Sequence, residues 1–496
     1  MKAGDAPEPA GFGGPGGPDG ASRGPAIRLT AEWVSRAMGG SVRPAGVDCE
    51  FSGVSIDTRT LAPGELFVAI RGDRFDGADF IDAALNAGAG GFVVERGRFR
   101  DSAGGPRQAG RSPVVIEVDD AIGALQALAR SIRRESGTRV VAITGSAGKT
   151  TTKEVTAEFL ASRYRVMRNR GNLNNHIGLP LSLIDLRWRP DVAVVELGMN
   201  HAGEISTLVH VAEPEVRVWT NVGEAHLGFF SSVEGIADAK AEIFEGANRS
   251  TVLVANADDD RIGRRIPRFA GRVVTFGITH DADVRATSLR GRGIDGSEAI
   301  VKTPRGSFEL ATPLIGHGNL ANILAAAAVA IEFDVPLSAI AERAARLTPP
   351  AHRGEVLRLA EGVVVIDDSY NANPTATARA LDVLADATTQ SRRLAVLGEM
   401  LELGERSVGL HEDLGRTAAH LKLDCLVAIG GPSARAMSEA AAGAGMPRGS
   451  VSHFATSEEA ADAVAGLVEP GDLVLVKGSR GIRTDRVVER LKAELG

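Results

Sequence analysis

Apolar residues fall along this chain in short unbroken runs separated by stretches of helical spacing, and the alternation sharpens toward the C-terminus. From residue 349 onward the runs Val363–Asp367, Leu394–Leu397, Cys425–Ile429, Val451–Phe454 and Leu473–Val476 read as buried strands. Thr375–Ala385, Leu410–Leu421, Ala434–Gly443, Ser457–Leu467 and Asp485–Leu495 read as helices. Continuous apolar strands alternating with helices predict a parallel sheet covered on both faces. Upstream, an amphipathic helix at Ala121–Arg134 opens a second block, 119–348, with strands at Val192–Glu196, Val216–Thr220 and Thr251–Ala255. A first block, 26–118, mixes the short strands Leu66–Ile70, Gly91–Val94 and Pro113–Val118 with turns, and Phe99–Ser112 reads as a solvated loop. Residues 1–25 are dominated by Gly, Pro, Ala and Asp. Such a stretch buries too little apolar surface to offset ordering entropy, so a disordered tail is expected there.

Length and charge narrow the picture. The chain's 496 residues exceed what one core supports and suggest about three domains. A formal net charge of −7 argues against a general nucleic-acid binder. Two cysteines far apart, Cys49 and Cys425, make neither a disulfide framework nor a metal-binding spacing, so a reducing cytoplasm is the expected home. No apolar run reaches the roughly 18–20 residues of a membrane span.

The richest chemistry lies in Ala142-Ile-Thr-Gly-Ser-Ala-Gly-Lys-Thr-Thr-Thr152, directly after the apolar Val140-Val141. It reads as a strand emptying into a glycine-rich turn and then a helix, expected at Lys153–Tyr164. That arrangement cradles phosphate with backbone N–H groups and a helix N-terminus. Lys149 would neutralise terminal phosphates and Thr150 would hold Mg²⁺. The spacing departs from the common loop, since Gly145 stands only three residues before Gly148. Glu196 ends a buried strand, the edge where ligands bind in open α/β sheets. A strand-end Glu facing solvent is its plain alternative, as polar surface is for His226 and a solvated helix face for Lys240. Asp367-Asp368 followed by Asn and Pro also serves as a strand-to-helix turn. Lys477-Gly-Ser-Arg-Gly481 reads equally as an anion site or a basic turn, and Glu399 and Glu402 as solvated residues.

Taken together, these residues resemble the Mur ligases of peptidoglycan synthesis. The match runs through Thr144–Thr151, Gly171-Asn-Leu-Asn-Asn-His-Ile-Gly-Leu-Pro180, Glu196, Asn221, His226, Lys240, Asn319-Leu-Ala-Asn322, Arg353 and Asp368–Pro374. Asp367-Asp-Ser-Tyr-Asn-Ala-Asn-Pro374, Val396-Leu-Gly-Glu-Met-Leu-Glu-Leu-Gly404 and Asp57-Thr-Arg59 resemble the branch that joins D-alanyl-D-alanine to UDP-N-acetylmuramoyl-tripeptide. The resemblance implies three α/β domains: a small UDP-substrate-binding domain, a central P-loop ATPase-type domain, and a C-terminal Rossmann-like domain. It implies that Gly145, Ser146, Ala147, Gly148, Lys149, Thr150 and Thr151 grip ATP phosphates. Thr150 and Glu196 would hold one Mg²⁺ and His226 a second, with Lys240 carbamylated into a carboxylate-like ligand. Asn319 and Asn322 match residues near adenine, Arg353 would reach the phosphates, and Asp368 the ribose. Asp57, Thr58 and Arg59 would meet the uridine diphosphate end, and Asn174 and Asn175 the muramoyl-peptide.

The implied reaction is ATP-dependent amide formation through an acyl phosphate by a cytoplasmic protein, expected to be a monomer, with small-molecule substrates and no nucleic-acid partner. Rival readings are a sibling Mur ligase, a folylpolyglutamate synthetase-like ligase and a non-enzymatic nucleotide switch. Three positions depart from the family pattern: Gly318 with His317 before Asn319, His352 where a glycine commonly precedes Arg353, and Ala78 in Asp76-Gly-Ala78.

Overall fold

The computed structural model describes residues 24–72, 74–99, 113–169, 171–387 and 392–496, together with the backbone of Phe12–Gly13. Most of the stretch 1–25 and nearly all of the expected loop 99–112 therefore lie outside the described residues. The fold is mixed α/β. It divides into two compact units, Met1–Ala142 with Leu160–Arg217 and Glu242–Thr251, and Ile143–Phe159 with Val218–Ala241 and Val252–Gly496.

In the first unit a five-stranded sheet runs in the order Ser41–Arg43, Val114–Val118, Gly91–Glu95, Leu66–Val68, Val54–Ser55. All neighbours are parallel except the outermost pair, Ser41–Arg43 against Val114–Val118. Its strands are apolar on both faces, and Phe67, Phe92 and Val94 pack with Ile81, Ala84 and Leu85 of the helix Ile81–Asn86. The helix Ala121–Ser136 begins where Asp120 accepts from the N–H groups of Ile122 and Gly123, and ends at Gly137, whose φ of 67° suits a residue without Cβ. Its apolar face is buried through Leu125, Leu128 and Ile132. Val166–Arg168 pairs parallel with Val192–Glu196 and antiparallel with Phe12–Gly13.

In the second unit Val252–Asn256 and Arg272–Gly277 are parallel. Val284–Gly291 pairs parallel with Arg272–Gly277, and Ser297–Thr303 and Gly306–Thr312 then run antiparallel in turn, a hairpin extension absent from the sequence-based reading. The buried helix Gly316–Glu332 follows. A six-stranded sheet then runs in the order Glu355–Arg358, Val364–Asp368, Leu473–Lys477, Arg393–Gly398, Cys425–Ile429, Val451–Phe454. Only Glu355–Arg358 is antiparallel. Because the other strands are parallel, their C-terminal ends share one edge, which gathers Asp368, Lys477 and Gly398.

Candidate functional site

The strand Arg139–Thr144 is buried from Val140 onward and empties into the turn Gly145–Gly148. Only glycine fits at either end of that turn. Gly145 has φ of 153° and a Cβ there would strike Oγ1 of Thr220; Gly148 has φ of 80° and a Cβ there would strike Oδ1 of Asn322. The turn is clamped from the side by two residues at the end of the strand Val216–Trp219. Oγ1 of Thr220 donates to the Ala147 carbonyl at 2.7 Å, and Nδ2 of Asn221 donates to the same oxygen at 3.0 Å. The Ala147 N–H donates back to Oδ1 of Asn221 at 2.9 Å, and Ser146 and Gly223 exchange two further bonds of 3.1 and 2.9 Å. The helix begins at Lys149, earlier than the expected Lys153, because the left-handed Gly148 ends the turn and the next residue is free to enter a helix. Its first residues, Lys149, Thr150 and Thr151, thus sit where orphan N–H groups and the helix dipole favour an anion. Nζ of Lys149 donates to the Gly145 carbonyl at 2.8 Å.

Lys240, on the helix Val233–Ala241, is almost wholly buried. Burial first, and the positive charge of Lys149 second, push its ammonium well below the usual lysine range. Asn322 is buried against the glycine turn, where its Oδ1 accepts from Oγ1 of Thr152 at 3.2 Å. Asn319, one turn earlier, donates to the Ile315 carbonyl at 3.0 Å.

At the parallel-sheet edge, Nζ of Lys477 donates to Oδ2 of Asp368 at 2.6 Å and to the Asn371 carbonyl at 3.0 Å. The Lys477 motif and Asp368 therefore form one cluster. The Arg353 guanidinium lies over the Tyr370 ring, 4.0 Å from its centroid. His352 explains its own departure from the family pattern, since its φ is 60°, the region glycine adopts freely. A bond of 2.8 Å between its Nδ1 and the fully buried Asp367 carboxylate holds it there. His226 also has positive φ, 61°, and its Nδ1 donates to Oε2 of Glu402 at 2.6 Å. That bond holds the Glu402 carboxyl below the usual range against the opposing effect of burial.

In the first unit, the Glu196 side chain is buried and accepts from Nδ2 of Asn174 at 2.9 Å, while its N–H donates to Oδ1 of Asn169 at 3.1 Å. Oδ1 of Asn175 accepts from the N–H of Gly178, the first residue of the helix Gly178–Leu183, at 2.8 Å. Asp57 and Arg59 form a bidentate pair at 2.9 and 2.6 Å, whose hydrogen bonds hold the Asp57 carboxyl down to about 2; Thr58 lies between them, half-buried. Ala78 donates its N–H to Oδ1 of Asp76, whose other oxygen pairs with Arg98.

Three contributions escaped the sequence-based reading: the Thr220–Asn221 clamp, the Asp368–Lys477 pairing and the Glu402 carboxylate. The first had a legible signal, a Thr-Asn pair at the end of a buried strand. Among the described residues, no group of three or more His, Cys, Asp and Glu side chains is gathered to hold a metal ion. Nor is any described helix long and apolar enough to cross a membrane.

Comparison with known proteins spans nearly the whole chain. Residues 50–133 match the description "Mur ligase family, catalytic domain", 143–330 "Mur ligase middle domain", and 352–480 "Mur ligase, glutamate ligase domain". The UDP-N-acetylmuramoyl-tripeptide--D-alanyl-D-alanine ligase of Escherichia coli (strain K12) is 36% identical, over 94% of this chain and 99% of its own. A crystal structure of MurF from Acinetobacter baumannii superposes with a TM-score of 0.84 at 30% identity, covering 95% of this chain and 100% of that one. The MurF ligase from Thermotoga maritima in complex with ADP gives a TM-score of 0.77 at 30% identity, covering 89% and 97%.

Proposed function

The chain belongs to the Mur ligase family, and on that premise we propose that it joins D-alanyl-D-alanine to UDP-N-acetylmuramoyl-tripeptide using ATP. The observation that carries the reading is the clamped glycine turn with Lys149, together with the buried Lys240, whose ammonium burial and the Lys149 charge disfavour. A carboxylate that attacks a polyanion needs its charge cancelled. In the proposed course, a terminal carboxylate oxygen of the tripeptide bonds to the γ-phosphorus of ATP as the bond to the ADP oxygen breaks. The dipeptide amine then attacks the acyl-phosphate carbonyl, and phosphate leaves as the nitrogen loses a proton. Lys149 and the N–H groups of Gly145 to Thr151 hold the phosphates, Arg353 adds a second cation, and Asp368 takes the ribose. Asn319 and Asn322 lie toward the adenine, with Asn322 also shaping the turn. Asp57, Thr58 and Arg59 in the block 26–118 receive the uridine diphosphate, and Asn174 and Asn175 the muramoyl-peptide. The blocks 119–348 and 349–496 carry the nucleotide chemistry.

The proposed Mg²⁺ ligands are Thr150, Glu196, His226 and Lys240. Hydroxyl and carboxylate oxygens suit a hard cation. Lys240 suits it only as a carbamate: an uncharged amine adds CO₂ and loses a proton, turning a would-be cation into an anionic oxygen donor. Two Mg²⁺ ions, when bound, would supply charge cancellation between the carboxylate and the phosphates. The proposed setting is the cytoplasm, with the protein acting as a monomer.

The test is phosphate release from ATP with UDP-N-acetylmuramoyl-tripeptide, with and without D-alanyl-D-alanine, the product being weighed by mass spectrometry. Dipeptide-dependent release with a pentapeptide product is expected. No release with either a lysine- or a diaminopimelate-containing precursor refutes the reading.

A further inference from the structure

The turn that carries Glu402 is built as a rigid platform. The Met400 N–H donates to Nε2 of His411 at 2.9 Å, and Nδ1 of the same fully buried histidine bonds the Ser407 carbonyl at 2.7 Å. The Leu401 N–H donates to Oγ of Ser479 at 2.9 Å, and Oε2 of Glu399 accepts from the Gly431 N–H at 2.6 Å. Met400 and Leu403 are buried on either side of Glu402. Glu402 itself is held at φ of 64°, facing His226 at 61°. Two non-glycine residues in the left-handed region, meeting through their side chains, are a cost that only a surrounding constraint sustains.

The backbones meet as well. The Gly228 N–H donates to the Glu402 carbonyl at 2.7 Å. A Cβ on Gly228 would lie 3.0 Å from both that oxygen and the Gly404 nitrogen, and one on Gly404 would lie 3.0 Å from the Gly228 Cα. Arg406 and Glu224 flank the contact at 3.8 Å. A carboxylate oxygen accepts the bond at Nδ1 of His226, which leaves Nε2 as the ring nitrogen that Glu402 does not engage.

We propose that Glu402 is a positioning residue for His226: the docked turn Met400–Arg406 fixes the Nδ1–H tautomer and ring orientation of the histidine, presenting Nε2 as a ligand. The ligand part rests on the reading of His226 as a Mg²⁺ ligand, but the positioning itself does not. A histidine that ligates a metal through one nitrogen depends on the acceptor at the other, and losing that acceptor typically weakens metal affinity or activity by about 10- to 100-fold. The turn belongs to the C-terminal sheet domain and His226 to the central one, so seating the former prepares the latter's ligand.

The experiment uses the full chain labelled with ¹⁵N-histidine at alkaline pH, the His226 signal being assigned by its loss in His226→Gln. Wild type should show the Nδ1–H tautomer without any ligand present. Glu402→Gly suits the left-handed backbone and so retains the fold, but should lose that tautomer; Glu402→Gln still offers an accepting oxygen and should keep it. The Mg²⁺ concentration for half-maximal turnover should rise about tenfold or more in Glu402→Gly, with much less change in Glu402→Gln. An Nε2–H tautomer or an imidazolium in wild type, or an unchanged tautomer in Glu402→Gly, overturns the proposal. A changed tautomer with unchanged Mg²⁺ requirement supports the positioning role and overturns instead the reading of His226 as a Mg²⁺ ligand.

Discussion

Replacing Asn221 with alanine removes both side-chain bonds that brace the glycine turn at Ala147, one donated at 3.0 Å and one accepted at 2.9 Å. Each contributes about 1 kcal/mol net, and the stranded Ala147 N–H adds up to about 1 kcal/mol, limited because that residue is half-buried and water reaches it. The Ala147 carbonyl keeps its bond of 2.7 Å from Thr220, so the turn is loosened rather than released. A loss of about 2–3 kcal/mol, taken up when nucleotide must order the turn, corresponds to about 30- to 150-fold weaker ATP binding. Titration calorimetry with ATP and with ADP measures it directly, on a variant whose cooperative melt shows the fold intact. Asn221→Asp separates the two bonds, since a carboxylate accepts from the Ala147 N–H but repels the carbonyl. Thr220→Val should couple with Asn221→Ala by more than about 0.5 kcal/mol, because both side chains serve one oxygen. Nucleotide affinity in Asn221→Ala within about threefold of wild type would refute the clamp.

Further outcomes follow from the same structure. His352→Gly relieves about 1 kcal/mol of left-handed strain but loses a charge-assisted bond of about 1.5–3 kcal/mol to the buried Asp367, so a melt should show a net loss of about 1 kcal/mol; a more stable variant contradicts this. Glu213 is held down to about 2 by hydrogen bonds from Arg134 and, against the effect of burial, from Arg130. A depressed carboxyl stabilises fully above its ordinary value of 4.5 and loses that contribution as pH falls from there through about 2. Denaturant midpoints compared at about pH 6 and about pH 3 should therefore fall less in Glu213→Gln than in wild type. Lys240→Ala should abolish turnover and regain part of it with short-chain carboxylates, and a ¹³C carbamate signal should appear in wild type under ¹³CO₂; full activity without rescue contradicts the carbamate.

Much of the architecture was legible because it is local. In the C-terminal domain, expected and observed strands coincide at Cys425–Ile429 and Val451–Phe454 and differ by a residue at the ends of the other three. Buried parallel strands announce themselves as continuous apolar runs whatever they pair with. The phosphate-binding turn was equally legible, since Gly, Lys and Thr at those spacings state their own backbone and charge requirements.

Pairing was not legible. Nothing in the run Leu473–Lys477 says that the last strand inserts between Val364–Asp368 and Arg393–Gly398, yet that insertion is what joins Lys477 to Asp368. Asn221 braces a residue 74 positions away and Glu402 meets a histidine 176 positions away. Glu402 read as a solvated residue because a carboxylate near a loop glycine ordinarily is one. Periodicity reports which face a residue turns inward, and motif spacing reports what one segment can bind. Which side chain completes another across the chain depends on long-range docking, and here only the tertiary structure decided it.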